Sequence, residues 1–171
     1  MMLRRHLKPL SRRTLLVVVE GGTEKAFCLY LKASCCRGQN IQVIVKNAHG
    51  GSPDKIVEFA RRLTKNATYD RVAIIFDTDR PLSSKGEKTI RALRAHAFRF
   101  TPCIEGFFLR LLKQTVPPDT ESCKRKFHEI GLDEQSKLWS EEYQKLFPEG
   151  NFRQLNADAD FAQLTALFSN V

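Results

Sequence analysis

The chain has 171 residues, 42% of them hydrophobic, which is enough for one domain with a buried core. It has no run of 18 or more apolar residues, so we expect no membrane association. The net charge of +9 is divided unevenly: residues 1–118 contain 22 Lys and Arg against 9 Asp and Glu, whereas residues 119–171 contain 6 against 10. Nucleic acid, a polyanion, is therefore the expected partner of the first part.

The amino end joins a basic segment, from Arg4 to Arg13, to the apolar residues 15–19. A secretion signal has a similar order, but this apolar run is too short and ends at Glu20 without a small-residue cleavage site. We therefore predict a basic arm that leads into a strand. The five cysteines include no Cys-x-x-Cys pair, which is typical of free thiols in a reducing cytosol and predicts a cytoplasmic protein.

Four short apolar runs alternate with helical patterns in the first part of the chain. The runs are rich in Val, Ile, Leu and Phe, as expected of strands that are buried on both faces of a sheet. The predicted strands are residues 14–19, 41–45, 72–76 and 98–101, and the predicted helices are near residues 24–34, 53–63, 84–96 and 104–113. This alternation predicts a three-layer α/β fold, in which helices flank a central parallel sheet of about four strands.

Two polar residues stand where a side chain can cap the free backbone N–H groups of a helix. Thr23 is the predicted N-cap of the first helix. Ser52 is the predicted N-cap of the second, and Pro53 suits its first helical position.

The pattern changes after the prolines at 117 and 118. Three helical stretches are predicted, near residues 119–130, 134–146 and 158–168. We expect residues 119–171 to form a helical extension packed on the α/β core of residues 1–118. Trp139 and Phe147 are expected to pack between the tail helices; base stacking is the alternative, with nothing in the sequence to support it. The Asp-x-Asp at Asp158 is predicted to cap the last helix.

Three carboxylates directly follow two of the predicted strands. Glu20 follows the first, and Asp77 and Asp79 follow the third. Ligands bind beyond the carboxyl ends of parallel strands, so the three are expected to converge there if the strands are neighbours. Close carboxylates repel one another unless a cation compensates, and oxygen ligands suit Mg²⁺ or Mn²⁺. The alternatives are an Asx turn at residues 77–79 and a plain surface charge at Glu20.

Two further acids and one base are expected near the same edge. Glu24 lies four residues after Glu20, and Glu105 follows the fourth strand. Each could support the metal or simply favour the positive end of a helix dipole. Arg80, beside Asp79, is placed to stabilise phosphoryl charge, and a solvated surface role is the alternative.

A glycine turn before the second predicted helix could contact phosphate or nucleic acid. Its residues are His49, Gly50, Gly51 and Ser52. Backbone N–H groups at a helix N-terminus bind anions, but this segment lacks the Lys-Ser/Thr ending of a P-loop. A simple strand-to-helix turn with an inert histidine is the alternative.

Four motifs, LLVVVEGGTE, GGSP, IIFDTD and PCIEGFFL, resemble the RloB-like family in their order and spacing. That family is similar to a branch of the Toprim superfamily, which includes topoisomerases, primases and metal-dependent nucleases. The resemblance covers about residues 14–115 and implies a Toprim-like fold. It implies that Asp77 and Asp79 hold Mg²⁺, and that Glu20 binds metal or acts in acid–base chemistry. It also implies an association with bacterial restriction or phage-defence loci.

These features favour Mg²⁺-dependent hydrolysis of nucleic acid by a Toprim-type nuclease. Glu20, Asp77 and Asp79 are the expected catalytic and metal-binding residues. A non-catalytic subunit or sensor that binds nucleic acid or nucleotide in a defence complex is the first alternative, because no obvious nucleophile is present. A nucleotide-processing enzyme is the second. Other defence-system subunits, or further copies of this chain, are its expected protein partners.

Overall fold

The sheet consists of four parallel strands. In the computed structural model, which describes residues 12–169, they are β1 (Arg13–Val19), β2 (Ile41–Asn47), β3 (Arg71–Asp77) and β4 (His96–Phe100), in the order β2-β1-β3-β4. The predicted parallel sheet of about four strands is confirmed. Most of the predicted basic arm lies outside the described residues. β1 and β3 are neighbours in the middle of the sheet, as the convergence of Glu20 and Asp77 requires.

Helices cover both faces of the sheet and complete the three layers. The α/β part contains α1 (Gly22–Cys35), α2 (Pro53–Asn66), α3 (Ser84–Ala92) and α4 (Ile104–Leu111), and the tail adds α5 (Thr120–Ile130), α6 (Ser140–Leu146), α7 (Phe152–Leu155) and α8 (Ala159–Phe168). α2 and α3 pack together on one face, and α1, α4 and the tail lie on the other. Within residues 12–169, no helix has the length and apolar character that crossing a membrane requires.

Alternation along the strands divides the buried side chains into two clusters. In β1, Leu15, Val17 and Val19 face α1, α4 and the tail, in a cluster that we call the tail-side core. Leu16 and Val18 face α2 and α3, in a cluster that we call the opposite core. All five residues are fully buried, which accounts for the continuous apolar run in the sequence.

The same alternation in β3 decides where its last carboxylate points. Ala73 and Ile75 belong to the tail-side core, so Asp77, two residues further on, lies on the same face. Asp77 is 7% exposed, and it is therefore a buried acid at the edge of the tail-side core.

The tail packs into the tail-side core through aromatic rings. The centroid of the Phe27 ring in α1 lies 4.9 Å from that of Phe108 in α4, 5.4 Å from Tyr143 and 6.0 Å from Phe147. The Tyr30 hydroxyl also donates a hydrogen bond to the Phe147 carbonyl. Aromatic pairs of this kind contribute about 0.5–1.5 kcal/mol each beyond the area they bury. The tail thus shares one core with the α/β part.

The start of α1 differs from the prediction, whereas the start of α2 agrees with it. The N-cap of α1 is Gly21, not Thr23, because the Glu24 carboxylate accepts a hydrogen bond from the Gly21 N–H at 3.0 Å. This bond holds the first turn two residues earlier than the sequence indicates and leaves Thr23 buried inside the helix. Ser52 occupies the N-cap position of α2 and Pro53 is its first residue, as predicted, but the Ser52 side chain makes no capping hydrogen bond.

Two predicted helices are shorter than expected. α3 ends at Ala92 rather than near residue 96, because Arg94 adopts a left-handed conformation (φ 50°) and the chain then enters β4. The stretch at 134–146 is interrupted: a 3₁₀ turn at Ser136–Leu138 is followed by an extended Trp139 before α6 begins.

The remaining expectations for the tail and the cysteines have mixed outcomes. Phe147 is fully buried as expected, but the packing prediction for Trp139 is wrong, since this side chain is 59% exposed. Asp158 is the N-cap of α8, and its carboxylate accepts hydrogen bonds from the backbone N–H groups of Asp160 and Phe161. The five cysteines are free thiols, as predicted.

Candidate metal centre at the sheet edge

Four carboxylates converge where β1 and β3 end. Glu20 follows β1, Asp77 closes β3, and Glu24 and Glu105 lie in the first turns of α1 and α4. They line a cavity of about 200 Å³ together with Gly21, Gly22, Thr23, Gly50, Lys124 and Lys137. The topology explains the convergence, because both central strands end here and each of the two helices starts here.

Asp77 is held in place by two backbone groups. Its carboxylate accepts a hydrogen bond from the Ile104 N–H at 3.0 Å, and its own N–H donates to the Glu20 carboxylate at 3.1 Å. Burial, reinforced by the charges of Glu24, Glu20 and Glu105, raises the pKa of Asp77 to about 9. A carboxyl group with this pKa binds a proton near neutral pH unless a cation replaces it.

Glu24 combines the two roles that the sequence left open. One carboxylate oxygen caps the Gly21 N–H of the helix that carries it, and the side chain, 5% exposed, also lines the cavity. Burial, with the charges of Glu105 and Glu20, raises the pKa of Glu24 to about 7. Burial, opposed by the hydrogen bond from the Asp77 N–H, also raises the pKa of Glu20, the most exposed of the four acids.

Glu105 is the most deeply buried of the four acids and is only half satisfied. One oxygen lies 3.2 Å from the Lys137 ammonium, and the other is buried without a hydrogen-bond partner. Ligand atoms of Asp77, Cys103 and Glu105 lie within 4.8 Å of one another, a separation that one metal ion can bridge. An unpartnered carboxylate oxygen beside another buried carboxylate is the arrangement that a hard cation would satisfy.

Cys103 fits this cluster less well as a ligand. Burial, reinforced by Glu105, raises the pKa of its thiol far above the usual range, so the sulfur stays protonated and weakly coordinating. The remaining donors are carboxylate oxygens, which suit Mg²⁺ or Mn²⁺ better than zinc.

Two lysines of the tail complete the cavity, and the sequence predicted neither. Lys124 comes from α5 and Lys137 from the 3₁₀ turn before α6. Lys137 pairs with Glu134 at 2.9 Å as well as with Glu105. Burial lowers the pKa of Lys137, but the two glutamates outweigh it, and the net shift is upward. No local motif marks these lysines, because the packing of the tail alone brings them to the sheet edge.

Asp79 and Arg80 lie at the outer lip of the site rather than in the cavity. Both side chains are exposed, and neither lines the cavity. They remain close enough to act on Glu20: the charge of Asp79 raises its pKa and that of Arg80 lowers it. Of the three predicted metal ligands, Glu20 and Asp77 therefore lie together, and Asp79 lies on the solvent side.

The glycine turn meets the site at one residue. Gly50 lines the cavity, and its N–H donates to the Glu20 carbonyl at 2.7 Å, with φ 82°. His49 and Gly51 are exposed and Ser52 occupies the N-cap position of α2; none of these three lines the cavity. The turn therefore positions the end of β1.

A comparison with known families places this geometry in context. The family model described as RloB-like protein matches residues 15–166, and the chain belongs to this family. The match extends into the tail and spans Lys124 and Lys137. No curated protein and no solved structure matches the chain.

Proposed function

We propose that this protein is a Mg²⁺-dependent phosphodiesterase that cleaves nucleic acid, a Toprim-type nuclease of bacterial phage defence or restriction. The observation that carries the proposal is the convergence of three buried carboxylates and the half-buried Glu20 around one small cavity, where burial and the neighbouring charges raise the pKa of Asp77 to about 9. A carboxyl group whose pKa is raised by burial and by neighbouring negative charges is typical of sites that bind a cation or transfer protons. The sequence resemblance to the Toprim superfamily and the excess of basic residues in the first part of the chain support the choice of nucleic acid.

Asp77 and Glu20 would hold the ion. Asp79 would approach it from the solvent side, and the unpartnered oxygen of the buried Glu105 would approach it from the protein interior. A bound Mg²⁺ polarises a phosphate and lowers the pKa of a bound water. Glu20 lies at the mouth of the cavity with a raised pKa, so it is the best placed of the acids to take the proton of the attacking water.

The lysines of the tail and Arg80 would balance the negative charge of the carboxylates and of a bound phosphate. Lys137 neutralises Glu105 and prevents the cavity from repelling a phosphate diester. Lys124, which lines the cavity, and Arg80, whose charge acts on Glu20, are both exposed, and each would contact phosphate oxygens.

The direct test is cleavage of single-stranded and duplex DNA and RNA in Mg²⁺ or Mn²⁺, compared with cleavage in EDTA. Asp77→Asn should reduce the rate by at least about 100-fold, on the scale of removing a group that stabilises transition-state charge. Glu58→Gln is the matched control, because Glu58 pairs with Arg61 on α2, away from the cavity. Cleavage that continues in EDTA, or that survives in Asp77→Asn, would contradict the proposal.

One observation favours the non-catalytic alternative. Lys137 already compensates part of the negative charge of the cavity, so the fold does not depend wholly on a metal. A nucleic-acid- or nucleotide-binding subunit would bind its ligand with equal affinity in EDTA and in Mg²⁺ and would show no turnover.

A further inference from the structure

Two large apolar side chains are exposed in the chain segment that directly follows a residue of the carboxylate cavity. Leu138 is 52% exposed and Trp139 59% exposed, and both directly follow Lys137. Trp139 is the single tryptophan of the chain. Aromatic side chains of this size are usually covered, so their exposure beside a candidate active site indicates a binding surface.

The backbone fixes this pair rather than leaving it on a loose loop. The Trp139 N–H donates to the Ser136 carbonyl at 3.0 Å, and its own carbonyl accepts from the Glu142 N–H at 3.2 Å as α6 begins. Leu138 lies against Gly22, where an added Cβ would be only 2.7 Å from a Leu138 methyl carbon. Gly22 itself lines the cavity, so Leu138 lies at its rim and Trp139 is the next residue along the chain.

The charges around the pair favour an anionic partner. Lys124, which lines the adjacent cavity, is exposed, and Lys25 is exposed on α1, three residues from Gly22 and hence on the same helix face. Two of the neighbouring acids of the tail are already in ion pairs: Glu134 with Lys137 at 2.9 Å and Glu142 with Lys145 at 2.8 Å. An exposed indole bordered by lysines is the surface that non-specific binders of single strands use.

We propose that Trp139 stacks on an unpaired base of the strand whose phosphate enters the carboxylate cavity. The inference rests on the proposed function and narrows its substrate to single-stranded or frayed nucleic acid. In a duplex both faces of each base are already stacked, so the indole would have to displace a neighbour. A single strand offers a free base face next to each phosphate.

The single tryptophan makes the contact directly measurable. The fluorescence of the protein should fall when a short oligothymidine is added, in buffer with Ca²⁺ in place of Mg²⁺. A duplex of the same length, and a strand of the same length that lacks bases, should change it far less. A quench by the strand without bases that equals the quench by oligothymidine would overturn the proposal.

Variants provide the second measurement, with a fluorescently labelled oligothymidine and anisotropy as the readout. Trp139→Ala should weaken binding roughly five- to 100-fold, the range for one base–aromatic stack, and Trp139→Phe should recover most of it. Leu29→Ala is the control, because Leu29 is another exposed apolar residue, 36% exposed, without a ring. Thermal unfolding is measured for all three variants, so that binding is compared only between folded proteins.

The outcomes separate this proposal from the proposed function. Cleavage of single strands without any change in tryptophan fluorescence would overturn the stacking and leave the nuclease standing. Quenching by oligothymidine without cleavage in any metal would support the stacking and contradict the nuclease. Strand binding that is equal in wild type and Trp139→Ala would also overturn it and would assign the Leu138–Trp139 surface to a protein partner.

Discussion

The two faces of the sheet are built very differently. The opposite core, under α2 and α3, consists mainly of aliphatic side chains, and Phe76 is its one fully buried aromatic ring among the described residues. The tail-side core is larger, is rich in aromatic rings and includes residues of α5, α6 and α8. All four buried or half-buried carboxylates of the cavity come from the strand ends or from the two helices on this face.

The difference indicates what the tail contributes to the site. The tail supplies Lys124 and Lys137 to the wall of the cavity that Glu24, Asp77 and Glu105 line, and so takes part in the burial of these acids. The three acids are at most 7% exposed, and Lys137 of the tail is a buried cation that pairs with Glu105. The tail thus helps to bury these carboxylates, which costs electrostatic free energy, and its Lys137 offsets part of that cost. The opposite face supports the sheet without entering this balance.

Truncation of the aromatic contact between α4 and the tail should have the largest effect. Phe108→Ala is expected to destabilise the fold by about 3–5 kcal/mol, because Phe108 contacts Phe27, Tyr143 and Phe147. Mg²⁺ affinity should fall as well, since the loosened tail exposes the carboxylates. Ile56→Ala in the opposite core should cost about 2–5 kcal/mol and leave the Mg²⁺ affinity of the folded protein unchanged. Denaturant unfolding and calorimetry measure both quantities.

The second-largest effect on stability is expected when the buried cation, Lys137, is removed. Lys137→Met breaks a buried ion pair and is expected to cost about 3 kcal/mol without metal. Mg²⁺ should bind this variant more tightly, by roughly tenfold, because the cavity is more negative. In contrast, Lys145→Met removes an exposed pair and should cost less than about 1 kcal/mol. Weaker Mg²⁺ binding by Lys137→Met would mean that Lys137 organises the site instead of balancing it.

The pH dependence of stability should distinguish the site from an ordinary acidic surface. The pKa of Asp77 rises from 3.8 to about 9 on folding, so between these values the folded state binds more protons than the unfolded state. Stability should therefore fall as pH rises from about 4 to 9, with Glu24 contributing up to about pH 7. We expect the melting temperature to decrease by at least about 5 °C over this range without metal.

Mg²⁺ and a matched substitution provide the controls for this pH effect. Saturating Mg²⁺ should flatten the curve, because the cation replaces the proton, and Asp77→Asn should flatten it without metal. A melting temperature that is independent of pH in the metal-free wild type would contradict the raised pKa values of Asp77 and Glu24.

The smallest effect is expected at the outer lip. Asp79→Asn should weaken Mg²⁺ binding by less than about tenfold, and less than Asp77→Asn does, because the exposed Asp79 is screened by water and salt. The difference between the two variants should shrink as the salt concentration is lowered. A larger loss in Asp79→Asn than in Asp77→Asn would mean that the ion binds outside the cavity.

The sequence predicted the sheet and the positions of Glu20 and Asp77 because both follow from local patterns. A buried strand has a continuous apolar run, and the acid after it must lie at the sheet edge. The burial of Asp77 depends on the alternation that turns it toward the tail-side core, whereas Asp79 is exposed because β3 ends at Asp77. Lys137 and Trp139 had no local signal at all. The 3₁₀ turn that places one inside the cavity and the other in water became visible only in the structure.

Calorimetric titration of Mg²⁺ at pH 8, in buffers of different ionisation enthalpy, tests the central claim most directly. At this pH Asp77, with a pKa of about 9, carries a proton in the metal-free protein. Binding of Mg²⁺ should therefore release about one proton, and both binding and release should disappear in Asp77→Asn. Absence of Mg²⁺ binding, or binding without proton release, would contradict a metal centre at this buried carboxylate cavity.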